Sequence, residues 1–180
     1  MNVLSKTALA AAFLLGCGVA QATNTDWSVR FDGDLLVEPR FVPHGSFEDT
    51  YSFELVSSLI IEQSSAVTAN NTPKLHISNG SYSLFNMGGN GLIGGGDDVL
   101  VEGAFTFDGT TGSTMHQVAL GVGKFYFDVK GLADGTKGGF YTLTSTVVAV
   151  PIPEPEIYAM MAAGLGLMGF VARRRQQRKD

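Results

Sequence analysis

The side chains most able to move a proton or hold a metal near neutral pH are the three histidines, His44, His76 and His116. They are dispersed. None stands at metal-ligand spacing from another histidine, from Cys17 or from a carboxylate. The chain has no G-x-S-x-G elbow, no phosphate-cradling glycine loop with its lysine, and no H-E-x-x-H pair. A Ser-His-Asp site can be assembled by folding alone, because triads are defined by geometry and not by order. Nothing in the sequence selects one, so the expectation is a protein that is not an enzyme. Cys17 is a single thiol and makes no intrachain disulfide. Thr142, Thr144 and Thr146 alternate and would share one strand face, which reads as a solvent face. Tyr and Phe beside Asp and Asn on a sheet are side chains that can bind sugar, aromatic faces stacking on C–H groups while carboxylates accept hydroxyls.

The best lead for an ion is Gly94-Gly95-Gly96-Asp97-Asp98-Val99-Leu100. It resembles half of the calcium-binding nonapeptide, in which turn carbonyls and aspartates surround Ca²⁺ and the aliphatic residue points inward. The preceding Gly88-Gly89-Asn90-Gly91-Leu92-Ile93 lacks the aspartate, and a β-roll needs several stacked copies. The site expectation is therefore no cofactor, with Asp97 and Asp98 as the one candidate Ca²⁺ pair. Such an ion would staple a loop.

The elements that position these residues follow from composition and period. The chain has 180 residues, 44% hydrophobic and 16% charged, with 23 glycines and 12 phenylalanines against one tryptophan. Charge is too scarce for a coiled coil. A net charge of −5 argues against a basic nucleic-acid binder. Residues 23–150 show period-two alternation: Tyr51, Phe53 and Leu55 against Ser52 and Glu54, Phe125, Phe127 and Val129 against Tyr126 and Asp128. Glycine- and asparagine-rich turns separate the runs. This predicts strands near 27–32, 50–61, 74–78, 81–86, 99–107, 115–122, 124–130 and 139–150. The fold class is all-β, an antiparallel β-sandwich or jelly roll.

The two ends differ from this middle. Residues 1–22 carry only Lys6, an apolar Thr7–Gly16 core, and Ala20-Gln21-Ala22, the small-x-small site that signal peptidase accepts. They read as a secretory signal helix cut after Ala22. Leu14-Leu15-Gly16-Cys17 approximates a lipobox, which keeps a lipoprotein N-terminus at Cys17 open as the alternative. At the other end Pro151, Pro153 and Pro155 alternate around Glu154, so 151–156 reads as an extended linker. Ile157 to Ala172 is an uncharged run, read as a transmembrane helix at 157–172. A helix of that length spans roughly 24 Å, a little short of a bilayer core, and flanking arginines can snorkel. Arg173, Arg174, Arg175, Arg178 and Lys179 make 173–180 a basic cytoplasmic tail. Lys6 is cytoplasmic by the same rule, which places residues 23–152 across the membrane, in the periplasm.

Pro153-Glu154-Pro155, the short apolar helix and the arginine cluster resemble the PEP-CTERM sorting signal in order, spacing and composition. The resemblance implies a Gram-negative bacterium that makes exopolysaccharide, a membrane-embedded cysteine protease-transpeptidase (exosortase) that removes the tail, and delivery to the cell surface or extracellular matrix. Gly45 to Phe53 resembles the F-x-D-x-F/Y motif that names one group of such proteins, on Phe47, Asp49 and Tyr51. The stretch Gly131 to Tyr141, with Asp134, Gly135, Gly138 and Gly139, resembles that group's closing hairpin. Phe47 and Tyr51 fit inward core anchors, and Asp49 fits an acceptor that ties down backbone N–H groups. The expected function is an exported surface or matrix protein with a structural or exopolysaccharide-associated role. The alternative is a carbohydrate-binding module, Ca²⁺-assisted or not; a secreted hydrolase is the third reading.

Overall fold

Nine strands and a C-terminal helix follow one another in the computed structural model, which describes residues 21–56, 61–108, 114–150 and 155–176. The strands are β1 (Gln21–Arg30), β2 (Leu35–Val42), β3 (Gly45–Leu55), β4 (Ile61–Ala69), β5 (Ile77–Asn86), β6 (Val99–Phe107), β7 (His116–Leu120), β8 (Gly123–Ala133) and β9 (Gly139–Ala149). They form a five-stranded sheet, β1-β3-β8-β5-β6, and a four-stranded sheet, β2-β9-β4-β7. One core joins them. Phe47, Tyr51, Phe53, Phe125, Phe127 and Val129 from the first sheet meet Val42, Ile61, Val67, Tyr141, Leu143 and Val147 from the second. Strict alternation places these side chains on one face of each strand, and burying that face is what holds two sheets together. Phe47 stacks on Tyr141 across the gap, with ring centroids 5.5 Å apart.

The expected antiparallel sandwich is corrected at one pair. β1 runs parallel to β3, from Gln21 opposite Phe47 to Arg30 opposite Leu55. The reason is the path between them. The chain leaves β1, turns at Asp32-Gly33, crosses to the other sheet as β2 and returns into β3, and two reversals restore the original direction.

Strand β2 is absent from the expected set because Pro39 breaks its ladder-forming pattern. It lies at the edge of the four-stranded sheet, opposite Thr142 of β9, where a missing N–H is tolerated. Its alternation is also inverted: Leu35, Val37 and Phe41 are exposed while Glu38 and Arg40 turn inward. The threonine row of β9 pairs with that exposed stripe, Thr146 with Leu35 and Thr144 with Val37. The run 50–61 divides into β3 and β4. Asn79-Gly80, expected to separate two strands, is a bulge inside β5, with Asn79 at φ 52° and one extra residue against β8. A side chain at position 80 would meet the Phe107 ring and carbonyl at 2.6–2.9 Å, so glycine is required there.

Residues 1–148 and 149–180 separate into two units by their contacts. The second contains helix α1 (Pro155–Gln176). It begins two residues before the apolar run and continues through the arginines, so residues 155 and 156, expected in the linker, are helical. Proline is accommodated in a first helical turn, and Arg173 and Arg174 near its end complement the helix dipole. Among the described residues no helix is long and apolar enough to cross a membrane. The uncharged run is shorter than the helix and is diluted by Gly164, Gly166 and Gly169. The signal helix, Ala20, Pro153 and Glu154 lie outside the described residues.

Candidate functional site

Phe47, Asp49 and Tyr51 are successive inward positions of β3, and all three are buried. A carboxylate placed in a sandwich core must find donors or lose its charge. Asp49 finds four. Its Oδ1 accepts the Thr23 backbone N–H at 3.1 Å. Its Oδ2 accepts the Tyr141 hydroxyl at 2.8 Å. Arg40 Nε lies 3.5 Å from the same oxygen. Tyr51 Oη is 2.6 Å from Tyr141 Oη, which extends the chain of hydrogen bonds. Arg40 also donates to Thr23 Oγ1. Burial pushes the Tyr51 hydroxyl up to about 12, opposed by its bond to Tyr141. Burial also raises Tyr141, and the nearby Tyr51 and Asp49 raise it further. Both phenols are therefore donors at any physiological pH, and neither serves as a base. Strands β1, β2 and β9 each contribute one member and β3 contributes two, so the network fastens the two sheets together.

Arg40, Tyr141 and Thr23 are the members that motif reading does not reach. Tyr141 carried a weak signal, since it ends the stretch read as a closing hairpin. Arg40 carried another, as an inward charge in an otherwise apolar run. A second buried cation is also new. Arg30 is 1% exposed. It donates to Ser145 Oγ at 2.6 Å, to the Ser145 carbonyl at 2.9 Å and to the Asp34 carbonyl at 2.9 Å. Its guanidinium lies 5.7 Å from the Trp27 ring and 5.6 Å from Phe53. Desolvation lowers its pKa to about 10, partly offset by Asp34.

A Ser-His-Asp cluster does form, in the wrong order for catalysis. His76 Nδ1 pairs with Asp134, and Ser78 Oγ donates to the other oxygen of the same carboxylate at 2.9 Å. A triad needs the imidazole between carboxylate and hydroxyl. Here the carboxylate is in the middle, and its bonds to His76 and Ser78 lower its pKa. The arrangement fixes the β8–β9 connection. His116 stacks on Phe105 instead.

Asp97 and Asp98 sit in the loop joining β5 to β6. Asp97 Oδ2 accepts the Gly89 N–H at 2.8 Å and the Asn90 N–H at 3.1 Å. Asp98 Oδ2 accepts the Gly94 N–H at 2.7 Å and the Tyr126 hydroxyl at 2.8 Å. Among the described residues no three His, Cys, Asp or Glu side chains gather as metal ligands. The Oδ2 atom of each carboxylate faces N–H or O–H donors, which a cation on that oxygen would have to displace, while Asp98 Oδ1 is buried without a hydrogen-bond partner. Asp97→Ala is expected to cost about 1–3 kcal/mol, from two lost hydrogen bonds to a charged acceptor. Thermal melts with and without millimolar Ca²⁺ check this, and an ion-dependent gap would restore the calcium reading.

The same loop overhangs a cleft of about 670 Å³. Asn24, Asp26, Ser52, Glu54 and Lys124 supply its polar wall; Val29, Leu92 and Ile93 supply an apolar one. Asp26 Oδ1 accepts the Ser28 N–H at 2.8 Å and the Ser52 hydroxyl at 3.3 Å.

In the tail, Arg173 and Arg174 are exposed at the end of α1, and the Arg174 guanidinium is 5.9 Å from the Phe170 ring. Tyr158, Met160, Met161, Leu165, Leu167, Met168 and Phe170 are all exposed, on every side of the helix.

No curated protein matches the sequence. Several solved structures are similar, two of them as follows. One is Aeromonas hydrophila PliG, a periplasmic lysozyme inhibitor of g-type lysozyme, at 16% identity over 70% of this chain and 98% of that one, with a TM-score of 0.41. The other is the pre-peptidase C-terminal domain of a Bacillus anthracis collagenase, at 14% identity over 71% and 95%, with a TM-score of 0.33. Residues 151–175 match the PEP-CTERM protein-sorting motif, so this stretch carries the signal for exosortase processing and export to the cell envelope or surface.

Proposed function

We propose that this chain is a non-enzymatic cargo protein that leaves the cell, is freed from its tail by exosortase and works as a structural component of the surface or matrix. The sorting motif at 151–175 is the observation that carries the reading. Signal peptidase would remove the leader after Ala22. In the precursor, α1 would hold the Pro-Glu-Pro segment at the membrane, its short apolar run lengthened by snorkelling arginines. A helix with apolar side chains exposed on every side is suited to lipid or to another helix. The Asp49 network supports assignment to the F-x-D-x-F group, because the two stretches that carry that likeness meet at Asp49, Tyr51 and Tyr141. The central position of Asp134 supports the non-enzyme reading.

The cleft favours a second reading, a module that binds neutral sugar. Two carboxylates, an amide and a hydroxyl beside apolar side chains suit a polyhydroxylated ligand, whereas an acidic domain repels polyanions.

Fractionation of the producing bacterium, with intact mass of the exported form, tests the first reading. The expected species starts at Thr23, ends near residues 153–155 and is found outside the inner membrane. A species that keeps Arg173 to Arg175 and stays in that membrane overturns it. Passing the exported form over the producer's own exopolysaccharide tests the second. Retention lost in Asp26→Ala/Glu54→Ala supports a module, and free passage removes it.

A further inference from the structure

The Asp49 carboxylate is held by donors from three strands, and one of them is unusual. Thr23 N, 3.1 Å from Oδ1, is the nitrogen of the peptide bond that joins Ala22 to Thr23. That is the bond a peptidase reading Ala20-Gln21-Ala22 would hydrolyse. We infer that cleavage after Ala22 turns the Thr23 nitrogen into an α-ammonium that docks on Asp49, so that Asp49 is the receptor for the processed N-terminus and leader removal locks β1 onto β3. The inference rests on the secretory reading of residues 1–22.

The chemistry is hydrolysis. Water adds across the Ala22–Thr23 amide, Ala22 leaves with a carboxylate, and the Thr23 nitrogen takes up protons to become NH₃⁺. A neutral donor becomes a cation without moving from the carboxylate it already touches. The site is built for that charge. Asp49 is 2% exposed. The cation now beside it, Arg40, is 3.5 Å away, and its Nε makes no hydrogen bond. The charged and titratable groups facing the site are Asp49 on β3, Arg40 and Glu38 on β2, Tyr141 on β9 and Tyr51 on β3, with both phenols neutral.

Position selects Thr23 in three further ways. Gln21 and Ala22, opposite Phe47 and Glu48, are exposed, so their loss removes two edge pairings and no core. The Thr23 hydroxyl accepts from Arg40, which fixes the new terminal residue by its side chain as well as its backbone. The parallel register places Thr23 opposite Asp49 itself. A cut one residue earlier or later would carry the ammonium away from the carboxylate.

The test compares three chains running to Asp180 in detergent micelles: one beginning at Thr23, the same chain acetylated on its α-nitrogen, and one beginning at Ala22. Acetylation is the close control, because acetyl-Thr23 keeps the N–H donor and loses only the charge. The free Thr23 chain is expected to melt about 3–8 °C above the acetylated one at pH 6–7. An α-amino group paired with a carboxylate has its folded pKa raised above its unfolded value of about 8. Its contribution is fully present below that value and is lost as pH rises through the folded pKa, so the gap closes in alkaline buffer. Reductive methylation of the α-amine at pH 8 is expected to be at least tenfold slower in the Thr23 chain than in the Ala22 chain. Asp49→Asn in the Thr23 chain erases both effects; if that variant fails to fold, the acetylation pair still decides. Equal melting and equal labelling overturn the docking, even where the exported form begins at Thr23. An exported form beginning at Cys17 overturns the cleavage, whatever the three chains do.

Discussion

Asp49→Ala is expected to destabilise the sandwich by about 3 kcal/mol, a large part of a domain's usual margin. The substitution strips the Thr23 N–H and the Tyr141 hydroxyl of their acceptor and leaves Arg40 without its counter-ion. Arg40 is one-third exposed, so water recovers part of its charge, which keeps the figure at the low end for a broken buried pair. Tyr141→Phe removes one hydroxyl and is expected to cost about 1–3 kcal/mol, because Tyr51 then loses its partner. Asp49→Asn with Tyr141→Phe forms a double-mutant cycle. A coupling of about 1 kcal/mol or more in denaturant titrations identifies the network as one unit. Additive losses, each below about 0.5 kcal/mol, would remove the fastening role and return Asp49 to the pool of ligand contacts.

Replacing Arg173, Arg174 and Arg175 with glutamine is expected to cut the tail-processed, exported form more than tenfold. The apolar run of α1 is short for a bilayer, so its register depends on what holds its ends. Each basic residue beside an anionic leaflet contributes about 1 kcal/mol, and three together change a membrane-held population by a factor of about a hundred. Quantitative immunoblotting of membrane and medium fractions reads the result. Export unchanged in the glutamine variant would leave the basic cluster without a sorting role. Lysine at the same three positions separates charge from geometry, since it restores the attraction but not the planar guanidinium.

Much of the sandwich is legible in the sequence where one face is buried and the other is wet. β3 and β9 alternate strictly, and the aromatic residues picked out by that alternation are core residues. β2 is not legible, because its exposed side chains are apolar and two of its four inward ones, Glu38 and Arg40, are charged, which blurs the contrast that alternation relies on. The β5 bulge hides for a related reason: Asn-Gly is a turn signal, and only close packing of Phe107 against Gly80 explains why the chain continues straight on. The parallel pairing of β1 and β3 depends on a passage through the opposite sheet, which local patterns do not encode. The site divides the same way. Phe47, Asp49 and Tyr51 lie two residues apart and can be read together, whereas Tyr141 lies 92 residues from Asp49 and meets it only after folding. Asp97 and Asp98 show the converse: a loop rich in carboxylates and glycines resembles an ion site, but the Oδ2 atom of each carboxylate already accepts from the loop's own amides.

The position of β9 sets a clock on assembly. This last strand lies inside its sheet, between β2 and β4, and Ser145 at its centre is the acceptor for Arg30, 115 residues earlier in the chain. At roughly 5–20 residues per second of synthesis, about 6–20 s separate the appearance of the cation from that of its acceptor. Through that interval β2 and β4 lack a neighbour, and Arg30 has no partner on β9. Long-range closure of this kind is slow and leaves unpaired edges open to other chains. The unpaired edges are therefore open to mispairing early in synthesis, and that interval ends when β9 arrives, only a few residues ahead of the sorting motif. Cargo domain and tail are completed almost together, which hands the processing enzyme a chain able to fold at the moment its signal appears.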